Sequence, residues 1–150
     1  MPATTSLPLR FSDEILVPCP PATIWPILAN IAGYSQWWPR YLLVRLLQPA
    51  PHLIGTEFVI RPYGWRSILC RVTSFEEPAH ICLQYDGTYM RGTASWRLER
   101  GEQGTRVVYE MDAVVSDLAV YLVSFIASLQ SIHSFSMRGI FKNLTKQLAD

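Results

Sequence analysis

Asp117–Asp150, DLAVYLVSFIASLQSIHSFSMRGIFKNLTKQLAD, is the stretch whose reading decides the fold. Leu118, Leu122, Phe125, Leu129, Ile132, Ser136, Ile140 and Leu144 recur three or four residues apart, so they share one face of a helix, continuous or broken in two. Asp117 suits its N-cap, and Lys142 and Lys146 suit the negative end of its dipole. One residue stands out on that face. At about 100° of turn per residue, His133 falls about 20° from Ile140. A helix with so broad an apolar stripe needs a large apolar surface opposite it.

The chain upstream supplies one. Tyr41–Gln48, Thr56–Arg61, Trp65–Phe75, Ile81–Tyr85, Tyr89–Glu99 and Thr105–Val115 are β-rich runs separated by Pro- and Gly-bearing turns, which predicts six strands in an antiparallel meander. Before them, Leu9–Val17 reads as a strand ended by Pro18, Pro20 and Pro21. Ala22, Ile24, Trp25, Ile27, Leu28 and Ile31 then keep helical spacing up to Gly33, and one further helical turn fits before Pro39. The order is β–α–α–β6–α, an α+β domain with a seven-stranded antiparallel sheet curved about one long C-terminal helix.

With 150 residues, one domain is expected. Apolar residues make up 49% and charged residues 17%, with Lys+Arg 13 against Asp+Glu 12. So balanced a charge argues against a nucleic-acid partner, which needs a basic patch. Cys19, Cys70 and Cys82 are odd in number and lack metal-ligand spacing, so reduced thiols are expected. The N-terminal residues lack the pattern of a signal peptide, and a cytoplasmic location is the expectation. The most apolar run, Leu118–Leu129, is too short to span a bilayer, which takes about 20 residues. It is expected to be buried rather than to touch a membrane surface.

Pro20–Pro39, PPATIWPILANIAGYSQWWP, together with Gly55, Arg71-Val72, Glu77-Pro78, Gly92, Trp96-Arg97-Leu98 and Gly104-Thr105-Arg106-Val107, resembles the START-like superfamily, also called SRPBCC, which includes polyketide cyclases. The resemblance runs in register over most of the chain. It implies a helix-grip fold with a deep cavity between sheet and C-terminal helix, usually occupied by an apolar ligand; no cofactor is expected. His133, Met137 and Leu144 are similar to one subgroup of the superfamily that carries an Asn-His pair in this helix, with Ile132 in place of the asparagine.

Strand parity then assigns an inner face. Met90, Gly92, Ala94, Trp96 and Leu98 fall together, as do Ile68, Cys70 and Val72, then Ile81, Leu83 and Tyr85, then Val107, Tyr109, Met111 and Ala113. The residues expected to meet a ligand are His133, Ser136, Met137, Ile140 and Leu129 from the helix. From the sheet they are Phe58, Leu83, Tyr85, Met90, Gly92, Trp96 and Tyr109. The small side chains of Gly92 and Ala94 are expected to leave room. Tyr89 is a further hydrogen-bonding candidate, Trp37 and Trp38 are expected to plug the short helices into the sheet, and Tyr63, Trp65 and Arg66 follow Pro62 in a turn placed to guard an entrance. Arg66, Arg71 and Arg91 read as solvated charges.

No GxSxG, HExxH or phosphate loop is present, and His52, His80 and His133 lie in separate elements, so no metal site is expected. Asp13-Glu14, Glu76-Glu77 and Glu110/Asp112 read as outer-face or loop carboxylates. Two readings of His133 remain side by side. It is a packed histidine bonded to a tyrosine or a backbone group, or it serves whatever occupies the cavity. The functional expectations follow in order: a binder of one lipid, isoprenoid or polyketide-type molecule; an aromatase/cyclase-like enzyme with His133 as proton-transfer group; or a protein or membrane-surface module contacting through Leu118–Leu129.

Overall fold

The strand of residues Leu7–Val17 (β1) lies at one edge of a seven-stranded sheet in the computed structural model, and its sequence neighbour Leu42–Gln48 (β2) lies at the other. The structure describes residues 7–50, 52–87, 90–115 and 129–149, with the backbone alone at Leu7 and Leu129. Between the two edges run Glu57–Pro62 (β3), Ile68–Glu76 (β4), His80–Asp86 (β5), Met90–Gly101 (β6) and Gly104–Val115 (β7), in the order β1-β7-β6-β5-β4-β3-β2, antiparallel throughout. Register shifts at Leu46/Gln48 and Val72/Ser74 add local twist.

The link from β1 to β2 crosses the open side of the sheet as helix Pro21–Ala29 (α1), a 3₁₀ turn at Ile31–Gly33 and helix Tyr34–Trp37 (α2). Pro21 opens α1 because its missing N–H would be unpaired there anyway. α1 buries Ile24, Trp25 and Leu28, with Trp25 against Phe75 of β4 at 6.1 Å between ring centres. The Tyr34 hydroxyl donates to the Leu28 carbonyl and locks the two helices together.

Helix Leu129–Ala149 (α3) packs against β1, α1 and α2. Ser136, Met137, Ile140, Phe141 and Leu144 are buried, while Arg138, Lys142 and Lys146 face outward, the amphipathic split its sequence dictates. Asn143 Nδ2 donates to the Trp37 carbonyl at 2.8 Å and sets α3 against α2. The upstream part of the expected helix, with Asp117, Leu118, Leu122 and Phe125, lies outside the described residues. No described helix is long and apolar enough to cross a membrane.

Parity holds across the inner face. Asp13, Tyr109, Trp96 and Ile81 are successive cross-strand partners from β1 to β5, and Trp96 sits edge-on to both Tyr109 and Phe141. Outside, Arg106 bridges Glu14 and Glu99, and Arg97 bridges Glu99 and Glu110.

Candidate ligand cavity

Helix and sheet do not close completely. A cavity of about 280 Å³ remains, lined by Ile132, His133, Ser136, Met137 and Ile140 of α3 and by Leu9, Phe11, Leu42, Ile60, Ile68, Tyr85, Met90, Trp96, Tyr109, Met111 and Val115 of the sheet. Trp38, Pro62, Tyr63 and Trp65 complete the wall. Tyr63, Trp65 and Ile132 are 48%, 41% and 36% exposed, which places them at the rim. Among the described residues no lysine, arginine, aspartate or glutamate lines it.

Among the polar groups of the wall, His133 is the one held by a carboxylate. Its Nδ1 lies 3.1 Å from Asp13 Oδ2, and Ser134 Oγ donates to Asp13 Oδ1 at 2.7 Å. Both partners of the pair are largely shielded, with side chains 17% and 15% exposed. A carboxylate only accepts, so Nδ1 carries the proton and Nε2 presents a lone pair. Nε2 has no hydrogen-bond partner among the described residues. The imidazole lies between Phe11 (4.5 Å, 24°) and Tyr109 (5.7 Å, 23°), which fixes its plane. Burial holds the His133 pKa below its ordinary value, and the nearby Asp13 only partly offsets this. Burial likewise pushes the Tyr109 phenol well above its usual range, so its proton is retained. The arrangement is an oriented, neutral imidazole whose basic nitrogen is uncommitted among the described residues.

Asp13 corrects the expectation that the Asp13-Glu14 pair points outward. β1 alternates, so Leu9, Phe11, Asp13, Ile15 and Val17 turn inward while Glu14 faces Arg106 outside. Among the described residues the partner of His133 is a carboxylate, where the packed reading supposed a tyrosine or a backbone group.

The rim has its own latch. Ser136 Oγ donates to the Ile132 carbonyl at 3.1 Å, so the Tyr63 hydroxyl, 2.6 Å away, donates to Ser136. Tyr63 sits at φ 54°, the left-handed region, at the tip of the β3–β4 turn, and its ring stacks on Tyr41 at 5.2 Å. Gly139 makes that stack fit, because a Cβ there would lie 2.2 Å from the Tyr41 hydroxyl oxygen.

Of the residues expected to meet a ligand, His133, Ser136, Met137, Ile140, Tyr85, Tyr109, Met90 and Trp96 line the cavity. Phe58, Leu83 and Gly92 do not. Phe58 is 1% exposed and packs edge-on to Tyr34, and Leu83 is buried between Val72 and Ala94 in the sheet. Gly92 serves strand packing rather than room for a guest, since a Cβ would lie 2.2 Å from the Asp112 carbonyl oxygen. The Leu129 side chain and Tyr89 lie outside the described residues. Trp37 is buried as expected, whereas Trp38 joins the wall. Arg71 and Arg91 are surface ion-pair partners of Glu57 and Asp86. Among the described residues no group of three His, Cys, Asp or Glu is placed to hold a metal ion.

Solved structures share this architecture. The chain is similar to the di-domain ARO/CYC StfQ from the steffimycin biosynthetic pathway (TM-score 0.73, 11% identity), over 93% of this chain and 50% of that one. It is similar to norcoclaurine synthase from Thalictrum flavum (TM-score 0.70, 8% identity), over 96% of this chain and 88% of that one. A START superfamily protein from Mycobacterium smegmatis matches at TM-score 0.70 and 15% identity, over 93% and 97% of the two chains. At these identities the likeness is one of fold. No curated protein matches the sequence. Residues 8–131 match the family described as polyketide cyclase / dehydrase and lipid transport, and the chain, with its START-like sheet and helix, belongs to that family.

Proposed function

We propose that the protein binds one hydrophobic small molecule, of lipid, isoprenoid or polyketide type, between the sheet and α3. The observation that carries this is a cavity of about 280 Å³ whose wall is apolar apart from one imidazole, a few hydroxyls and indole N–H groups, the buried Trp38 Nε1 among them. Binding sites of this kind span roughly 300–1,000 Å³ and combine apolar walls with a few placed polar groups, so this one suits a single compact ligand. Removing apolar surface from water supplies most of the affinity. Native mass spectrometry of the purified chain, followed by denaturing extraction, tests it. A stoichiometric apolar adduct is expected, and Ile140→Trp, which fills the cavity, is expected to abolish it. No adduct, and no melting shift with any member of a lipid and polyketide panel, would refute the proposal.

A second reading rests on the Asp13–His133 pair. In an aromatase/cyclase-like enzyme, His133 Nε2 would take a proton from a bound polyketide-type substrate, with Asp13 holding the ring and stabilising the imidazolium. His133→Gln is expected to leave ligand bound but remove turnover, whereas a pure carrier would show only a modest loss of affinity.

A further inference from the structure

Among the described residues charge is missing from the cavity wall, and the orientation of His133 turns a lone pair toward it. Resting on the reading of the cavity as a binding site, we infer that its occupant is a neutral molecule carrying a hydroxyl group (alcohol, phenol or enol) that donates to His133 Nε2, and that carboxylates are excluded.

Three observations converge. The Nδ1 proton is committed to Asp13 at 3.1 Å, and both Asp13 oxygens are engaged, one by His133 and one by Ser134. Nε2 is therefore an acceptor, and among the described residues it is left open to a donor from the ligand. A carboxylate brings only lone pairs, and it would face Nε2 with the Asp13 charge directly behind the ring. No lysine or arginine lines the cavity, and the sequence from Ser116 to Ser128 contains neither. A carboxylate seated there would lose its water without gaining a counter-charge, a far larger penalty than that of a hydroxyl making one hydrogen bond.

A hydroxyl fits in a second way. It accepts as well as donates, and the protonated Tyr109 phenol stacked beside His133 is a donor. An ammonium group would also donate to Nε2, but it would bring a full charge into a wall that, among the described residues, offers no carboxylate. Trp38, Trp65, Tyr85 and Trp96 favour a flat ring system as the apolar part.

The test is calorimetric titration of the full chain at pH 7 with four probes on one skeleton: 4-phenylphenol, 4-methoxybiphenyl, biphenyl-4-carboxylate and biphenyl-4-ylmethanamine. The phenol should bind about tenfold more tightly than the ether, the worth of one hydrogen bond made against one left unmade. It should also bind more tightly than the amine, and the carboxylate should bind weakest of all. His133→Phe should bring phenol and ether within about threefold while the ether keeps its affinity. His133→Gln, whose amide both donates and accepts, should narrow the same gap and serves if the Phe variant does not fold. Equal binding of phenol and ether to the native chain, a carboxylate or amine that matches the phenol, or a gap unchanged in the variants would each overturn the inference while leaving the cavity reading intact. Failure of all four probes to bind would count against the cavity reading and take the inference with it.

Discussion

Replacing Asp13 by alanine tests the pair on which the polar end of the cavity is built. The substitution removes two hydrogen bonds to a carboxylate, from His133 Nδ1 and Ser134 Oγ, at 3.1 and 2.7 Å. Bonds to a charged group are worth about 1.5–3 kcal/mol each, or about 3–6 kcal/mol for two. Two effects reduce that sum. Alanine leaves no carboxylate to desolvate, and side chains that are 15% and 17% exposed retain some access to water. The expected loss is about 2–3 kcal/mol, or a melting temperature lower by roughly 4–12 °C at about 2–4 °C per kcal/mol. Urea denaturation followed by circular dichroism reads the stability, and NMR of the imidazole protons reads the ring. Because Asp13 raises the His133 pKa against the larger lowering by burial, the variant should titrate at still lower pH. A stability change below about 0.5 kcal/mol, the range of ordinary surface substitutions, together with an unmoved His133 titration, would refute the pairing.

Further tests follow from the same structure. The folded His133 pKa lies below the unfolded value of about 6.5, so the unfolded chain binds the extra proton. This group's contribution should be constant above about pH 6.5 and fall as pH drops through the window below it, a slope that His133→Gln should remove from urea titrations. Trp96, 1% exposed, and Trp25, 6% exposed, should each lose about 3–5 kcal/mol on truncation to alanine, measured by urea denaturation. Normal stability in either variant would mean the inner face is misassigned. Tyr63→Phe removes the hydroxyl that donates to Ser136 at 2.6 Å but keeps the stack on Tyr41. A loss of about 0.5–1.5 kcal/mol is expected, with faster amide exchange across residues 62–66.

By itself the sequence determined the order of elements, the inward parity of the central strands and the placing of His133 on the packed face of α3. Those properties repeat with the period of the strand or the turn of the helix, so they are written in residues a few positions apart. Asp13, expected from its charge to lie outside or in a loop, instead belongs to the inward-facing set of β1. Only the tertiary structure decided what Asp13 meets. Its partner stands 120 positions along the chain, and Tyr63 and Ser136 are separated by 73. Neither contact follows from local periodicity, because each depends on how the edge strand and the β3–β4 turn close against α3. The same closure decided that Gly92 makes room for its neighbouring strand rather than for a guest, and that Phe58 and Leu83 pack into the core while Trp38 and Phe11 reach the cavity. A cavity is the space that packed elements fail to fill, and that remainder is fixed by their distances and tilts rather than by the pattern of any one of them.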